Sequence, residues 1–394
     1  MKTRSSTVRT LVAALTFALI GTSLQPASAK PASQQSDNLK RIANLDLGWV
    51  SEIAFDGRWA YVYGESLWIV DRRTKQVVGT FSCPGSDHYP GEVEVVKPGL
   101  VAIDKTAQCG VPQSAVLFVD VRNPRKPILR SVINVRGNHT LTAYPGKPFI
   151  YVSPNGCCGD GKGGVEQIID VRNTLLPKVT TYMSNGLGCH DVGFVITDDV
   201  KLAGCAGGSE TQIWDVSDPL KPITLSRIPT PYISFNHSAG FTDDAELLVV
   251  GDEGGGVSSC QGAAPTAALW FYDISDPSAP VLKGNHSNSH GSPVSSFWAT
   301  FDSWCTAHMY DFKTDSSLLA TGWYQGGLNV LDLEDPSAPK ELAFYVADDF
   351  SPWAAYWVGE EIWTSDTQGW CPPTDVGTCE PDENGGVEIF TIDS

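Results

Sequence analysis

Four of the seven histidines in this chain, His139, His190, His237 and His308, each open a corresponding extended run, and Glu92 stands at about the same place in the run before them. Neutral imidazole nitrogen suits Fe(II), Cu(II) and Zn(II) alike, so a metal centre with these side chains as ligands is the first chemistry the sequence offers. Ser51 and Trp353 hold the matching positions at the two ends of the series. The same histidines have a structural alternative, because an imidazole at the start of an inner strand can lock a loop by donating to a backbone carbonyl or an aspartate. Both readings stand at this level. Asp191 alternates to the opposite face from His190 and would act only from behind a ligand.

A second group lies in the long connection from Asn285 to Cys305, which carries His286, His290, Phe297, Trp298 and Trp304. Together with Trp353 these rings could cover a channel mouth and bind a protein, peptide or glycan. Asp252 and Glu253, followed by three glycines, could offer oxygen ligands to Ca2+, although no EF-hand loop surrounds them. No nucleophile elbow, phosphate-cradling loop, paired-histidine zinc helix or dinucleotide fingerprint occurs.

The elements that must position these groups repeat. An alternating run closes on aspartate at Leu67–Asp71, Val116–Asp120, Glu166–Asp170, Thr211–Asp215, Leu269–Asp273 and Leu328–Asp332, with a degenerate copy at Val387–Thr391. The copies lie roughly 45 to 59 residues apart, the span of one four-stranded sheet in a repeat array. Each is followed by a turn such as Asp218-Pro-Leu-Lys-Pro222, Asp276-Pro-Ser-Ala-Pro280 or Asp335-Pro-Ser-Ala-Pro339. There the aspartate caps the turn, the first proline fixes φ, and the second opens a strand before any ladder donor is needed. The last copy lacks a fourth strand, and Arg41–Leu47 supplies an unpaired one. Joining the two removes both open edges. The expected fold is therefore all-β: a seven-bladed β-propeller of four-stranded blades, closed by an N-terminal strand that completes the last blade.

Residues 1–29 read as a secretory signal peptide, with Lys2, Arg4 and Arg9, an apolar stretch from Leu11 to Ile20, and a small-residue cleavage pattern ending at Ala29. Residues 30–39 read as a flexible leader and 40–394 as the single propeller domain. Removing three positive charges takes the net charge from −18 to −21, which argues against nucleic acid as a partner. No other run is long and apolar enough to span a membrane.

Ten cysteines in an exported chain favour disulfides. Proximity suggests Cys83 with Cys109, Cys189 with Cys205, Cys260 with Cys305 and Cys371 with Cys379; Cys157 and Cys158 either pair with each other or exchange partners with Cys189 and Cys205. On the strand map, all ten fall on the face where the histidines open.

The closing phrase, seen in full as Leu67-Trp-Ile-Val-Asp71, resembles the LVIVD repeat. Cys-His190-Asp, Asn-His237-Ser, Ala-His308-Met and Ser-Pro-Trp353-Ala-Ala-Tyr are similar to exported bacterial propellers of the choice-of-anchor B type. The resemblance spans essentially the whole mature chain and implies the propeller fold, without implying a single reaction. The expectation is a secreted monomer binding an extracellular protein, peptide or glycan through its disulfide-stapled loops. The alternative is an Fe- or Cu-dependent oxidoreductase with His139, His190, His237, His308 and Glu92 as ligands.

Overall fold

The aspartate that ends each repeat phrase accepts a hydrogen bond from the backbone N–H two residues on. Asp71 takes Arg73 N at 3.1 Å, Asp120 takes Arg122 N at 3.1 Å, Asp170 takes Arg172 N at 2.9 Å and Asp215 takes Ser217 N at 2.8 Å. Asp273 and Asp332 do the same with Ser275 and Glu334. Three residues further on, Asp218, Asp276 and Asp335 cap the next turn through the amides of Leu220, Ser278 and Ser337. These side chains fix the corners between the third and outer strands, and none has a chemical role to add.

In the computed structural model of the protein, residues 33–82, 91–104, 111–112, 114–154, 166–183, 188–253, 267–290, 305–367 and 385–393 are described. Their strands form seven antiparallel sheets, each beginning on an inner strand: Val50–Asp56, Val93–Lys97, Thr140–Ala143, Asp191–Ile196, Asn236–Phe241, Tyr310–Phe312 and Pro352–Val358 open blades 1 to 7. The blades are those of a seven-bladed β-propeller. Closure follows the expected latch. Leu39–Asp46 pairs with Gly386–Ile392 as the outer strand of blade 7, in the register Leu39 to Ile392 through Asp46 to Gly386.

The residues expected as a flexible leader are partly ordered. Ser33–Gln35 adds a fifth strand to the outer edge of blade 6, pairing with Tyr345–Ala347, and Leu39 is fully buried. Backbone pairing joins this polar strand to blade 6, all three of its side chains being exposed.

Burial grades outward across each blade. Middle strands such as Ala115–Asp120 are buried throughout, while outer strands expose Ile128, Ile223 and Val281. The apolar clusters bridge adjacent blades: one joins Leu202 and Ile213 of blade 4 to Leu248 and Trp270 of blade 5, and another joins blade 7 to blade 1 through Ile389, Trp363, Val62 and Val70. No single blade could bury both of its faces alone. Near the axis the inner strands converge so closely that a Cβ at Gly193 would lie 1.9 Å from the carbonyl oxygen of Ala239 in the next blade.

Among the described residues no helix is long and apolar enough to cross a membrane.

Candidate functional site

The inner strands of blades 1, 5 and 7 bulge at their first turn, where the register skips Ser51, His237 and Trp353. A bulge leaves one residue unpaired and re-aims its side chain. Here it turns these side chains toward the neighbouring blade.

The result is an arc of five rings from five successive blades, each tilted against the next. Centroid separations are 4.0 Å from His139 to His190, 4.3 Å from His190 to His237, 4.2 Å from His237 to His308 and 4.2 Å from His308 to Trp353. His190, His237 and His308 are buried.

Each step is also hydrogen-bonded across blades. His190 Nδ1 lies 3.2 Å from the carbonyl oxygen of His237, and His308 Nδ1 lies 2.7 Å from that of Trp353. Thr140 and Ser238 donate to the carbonyls of His190 and His308 at 2.6 and 3.2 Å. The structural role weighed from sequence is therefore present.

It does not exhaust the imidazoles. A carbonyl only accepts, so Nδ1 of His190 and His308 must carry the hydrogen. In the neutral ring this leaves the lone pair on Nε2, the tautomer fixing seen behind metal-ligating histidines.

The carboxylate that meets these nitrogens is Glu253. His237 Nε2 is 3.7 Å from its Oε2, His308 Nε2 is 4.0 Å from its Oε1, and the Tyr324 hydroxyl donates to Oε1 at 2.8 Å. Burial raises the Glu253 carboxyl to about 7, with the Tyr324 hydrogen bond opposing and neighbouring Asp252 adding to the rise. Tyr324 is held at φ 48, a left-handed conformation unusual for a bulky residue, in a short turn after the second strand of blade 6. That conformation aims its hydroxyl at Glu253 and its ring at His308, 5.0 Å away.

Ligand atoms of His190, His237 and Glu253 all lie within 4.8 Å of one another. Ligand atoms of one tetrahedral Zn2+ lie about 3.3–3.6 Å apart, so the three side chains would have to draw together by about 1 Å to share an ion. The donor set, two imidazoles and a carboxylate, fits Zn(II), Cu(II) or Fe(II).

Several expected residues stand elsewhere. In blade 2 the residue bonded to Ser51 is Gly91, whose carbonyl accepts the Ser51 hydroxyl at 2.7 Å. Glu92 is one step further along and lines the axial cavity, away from the His190, His237 and Glu253 group. His139 and His308 flank that group without being part of it.

His290 is not at the mouth. Its Nε2 is 2.8 Å from Glu341 and its ring stacks at 3.6 Å on Phe344, both on the outer strand of blade 6. His286 ends the outer strand of blade 5, and burial lowers its pKa. These two rings are drawn to the perimeter by partners that local sequence does not indicate.

Asp252 serves as a buried cap, accepting the backbone amides of Ser234, Phe235 and Ala267 at 3.2, 3.0 and 3.3 Å, while Glu253 is the half of that pair that faces the histidines. Trp298 and Trp304 lie outside the described residues, as do Cys83, Cys109, Cys157, Cys158, Cys260, Cys371 and Cys379. Cys189 and Cys205 form the expected disulfide, tying the residue before His190 to the second strand of blade 4, and Cys305 is also disulfide-bonded.

Glu253 and Tyr324 as partners of the histidines were not legible in the sequence. Both sit at or beyond strand ends, where period-2 alternation no longer predicts what meets what.

The fold defines the chain as a seven-bladed β-propeller. The LVIVD repeat family matches residues 267–287, the third and outer strands of blade 5. No curated protein sequence matches the chain. Among solved structures it is similar to the β-propeller domain of Cps50 (Swd1) from Myceliophteria thermophila, at 9% identity and a TM-score of 0.59 over 90% of this chain and 100% of that one. That likeness concerns the fold alone.

Proposed function

We propose that the chain is an exported, monomeric binding protein that engages an extracellular protein, peptide or glycan at its histidine-lined mouth. In this reading His190, His237 and Glu253 would hold a transition metal there. The single observation that carries it is the convergence within 4.8 Å of two buried imidazoles, that of His190 with its tautomer fixed, and one half-buried carboxylate. The metal would supply an open coordination position for a donor group of the partner. This chain's own residues orient that position: Tyr324 holds Glu253, and the carbonyl of His237 holds His190. His139 and Trp353 present flat rings on either side of it, and Trp298 and Trp304 are the further aromatic contacts expected from sequence.

The test is titration of chelator-stripped protein with Zn2+ and Cu2+, with bound metal counted by mass spectrometry. The expected result is one ion per chain, with affinity falling on the order of 100-fold in a His190→Ala, His237→Ala double variant. Unchanged affinity in that variant sinks the metal reading. Reversible redox cycling of a bound Cu or Fe ion would favour the oxidoreductase alternative over plain binding.

A further inference from the structure

Behind the histidine mouth the axis widens into a cavity of about 430 Å3, lined by inner strands of all seven blades. Five carboxylates line it: Glu52 from blade 1, Glu92 and Glu94 from blade 2, Asp191 from blade 4 and Asp311 from blade 6. Glu92 and Glu94 are two residues apart on an extended strand and so share its inward face. No Lys, Arg or His is among the lining residues. The nearby phenols do not balance this charge. Tyr310 donates to the carbonyl of Val249 at 2.7 Å, and Tyr356 donates to Glu52.

Glu52 is the informative member. It is only 4% exposed, and its Oε1 accepts from Tyr356 and from its neighbour Ile53 N at 2.8 Å. Its Oε2 is buried and meets no donor. What lies across from Glu52 is the carboxyl of Glu92, another acceptor. Two acceptors in contact need something positive between them, either a proton or a cation. Burial, with repulsion from neighbouring carboxylates adding to it, pushes Glu52 up to about 7 and raises Glu94 well above the usual range, in keeping with a cavity that tolerates uncompensated charge poorly.

We propose that the axial cavity is a binding site for a hard divalent cation, Ca2+ in the first instance, held by Glu52, Glu92 and Glu94, with Asp191 and Asp311 completing the negative lining. Ca2+ accepts six to eight oxygen ligands in flexible geometry and keeps waters where protein oxygens are lacking, which suits a roomy, all-oxygen cavity. Imidazole-seeking ions are directed instead to the mouth. The two sites share no ligand, so this inference does not depend on the metal reading above.

The experiment uses the full mature chain, stripped with chelator and titrated calorimetrically with CaCl2 and, separately, MgCl2 at neutral pH. Alongside it, Tb3+ luminescence excited through Tyr310 and Tyr356 is followed by displacement with Ca2+. The expected results are one Ca2+ per chain, a rise of several degrees in Tm, and affinity weakened at least about tenfold in both Glu52→Gln and Glu94→Gln. The His190→Ala, His237→Ala variant should keep full Ca2+ affinity. Absence of heat, of a Tm shift and of sensitised Tb3+ emission at millimolar cation overturns the proposal and leaves a shared proton between Glu52 and Glu92. Binding that persists undiminished in both glutamine variants overturns it equally, since the ion would then sit on the acidic surface. Should either variant fail to fold, the tyrosine-sensitised Tb3+ signal of the unmodified chain, present or absent, decides the matter.

Discussion

Glu166 gives the sharpest test of the electrostatics worked out above. It starts the third strand of blade 3, is completely buried, and accepts from the Ser153 hydroxyl at 3.2 Å and from the backbone amide of Cys189, the residue that leads into His190. Its second oxygen has no partner. Burial is the dominant influence and raises the carboxyl from 4.5 to about 8, the two hydrogen bonds only partly opposing it. The sign follows from linkage: a carboxyl raised in the folded state leaves stability intact below the unfolded value of 4.5 and erodes it as pH climbs toward 8. At pH 7 the unfolded chain has ionised Glu166 and the folded chain has not, a penalty of about 3 kcal/mol at roughly 1.4 kcal/mol per pH unit. Glu166→Gln keeps the shape and an acceptor for Ser153 but cannot ionise. It should therefore stabilise the protein by up to about 3 kcal/mol at pH 7 and leave stability nearly unchanged at pH 4. Urea denaturation followed by tryptophan fluorescence at the two pH values measures the difference. An equal offset at both, or a loss at pH 7, would refute the idea that burial, rather than packing, dominates at this side chain.

Three other outcomes follow from packing and topology. Gly193→Ala forces a methyl into the carbonyl of Ala239 and should cost more than 2 kcal/mol, about twice the roughly 1 kcal/mol expected for an alanine at a positive-φ glycine such as Gly57, where the space is open; calorimetric melts of the two variants compare them. Thr140→Val and Ser238→Ala each remove one bond between neighbouring blades, and each should cost about 1 kcal/mol, adding within roughly 0.5 kcal/mol in the double variant because different blade pairs are involved. Leu39→Ala should cost about 2–4 kcal/mol, and deletion of 33–46 should expose the edge of Gly386–Ile392 and convert the chain to aggregates by light scattering; a monodisperse deletion variant would contradict the latch.

How far the sequence could be read depended on the range of the interaction. The turn aspartates and prolines act within two or three residues, so Asp71, Asp276 and their counterparts could be assigned from spacing alone, and repeat counting then led to seven blades. The latch was legible for a different reason, since an incomplete last unit and a spare first strand leave only one economical closure. Ser33–Gln35 carried no such sign, because a polar strand held by backbone bonds has no apolar period to detect. Glu92 stands one residue beyond Gly91 and lines the axial cavity. Bulges such as those at Ser51, His237 and Trp353 shift register without any marker in local composition, and in blade 2 the residue bonded to Ser51 is Gly91. Glu253, Tyr324 and the outward excursion of His290 to Glu341 depend on contacts over 50 residues or more, which alternation does not encode.

The one-residue shift is also what separates the two chemistries of the axis. A residue at the bulge points across to the next blade, and the residue after it points down the channel. Repetition of the unit therefore builds two layers at once: imidazoles and Trp353 at the mouth, and Glu52, Glu92 and Asp191 one step below. Had Glu92 stood at the bulge position, a carboxylate would join the ring arc and the inner layer would lose half of its Glu52 pair. As built, nitrogen donors and most oxygen donors are segregated along a single axis, with Glu253 alone reaching up from a neighbouring loop to the histidines. If both layers take up metal as proposed, such segregation would let one small channel discriminate a borderline-soft ion from a hard one by position, each layer disfavouring the other's ion through donor type. The inter-blade hydrogen bond from His190 then has a double consequence, since a contact that joins two neighbouring blades also fixes the tautomer of an imidazole in the proposed upper layer.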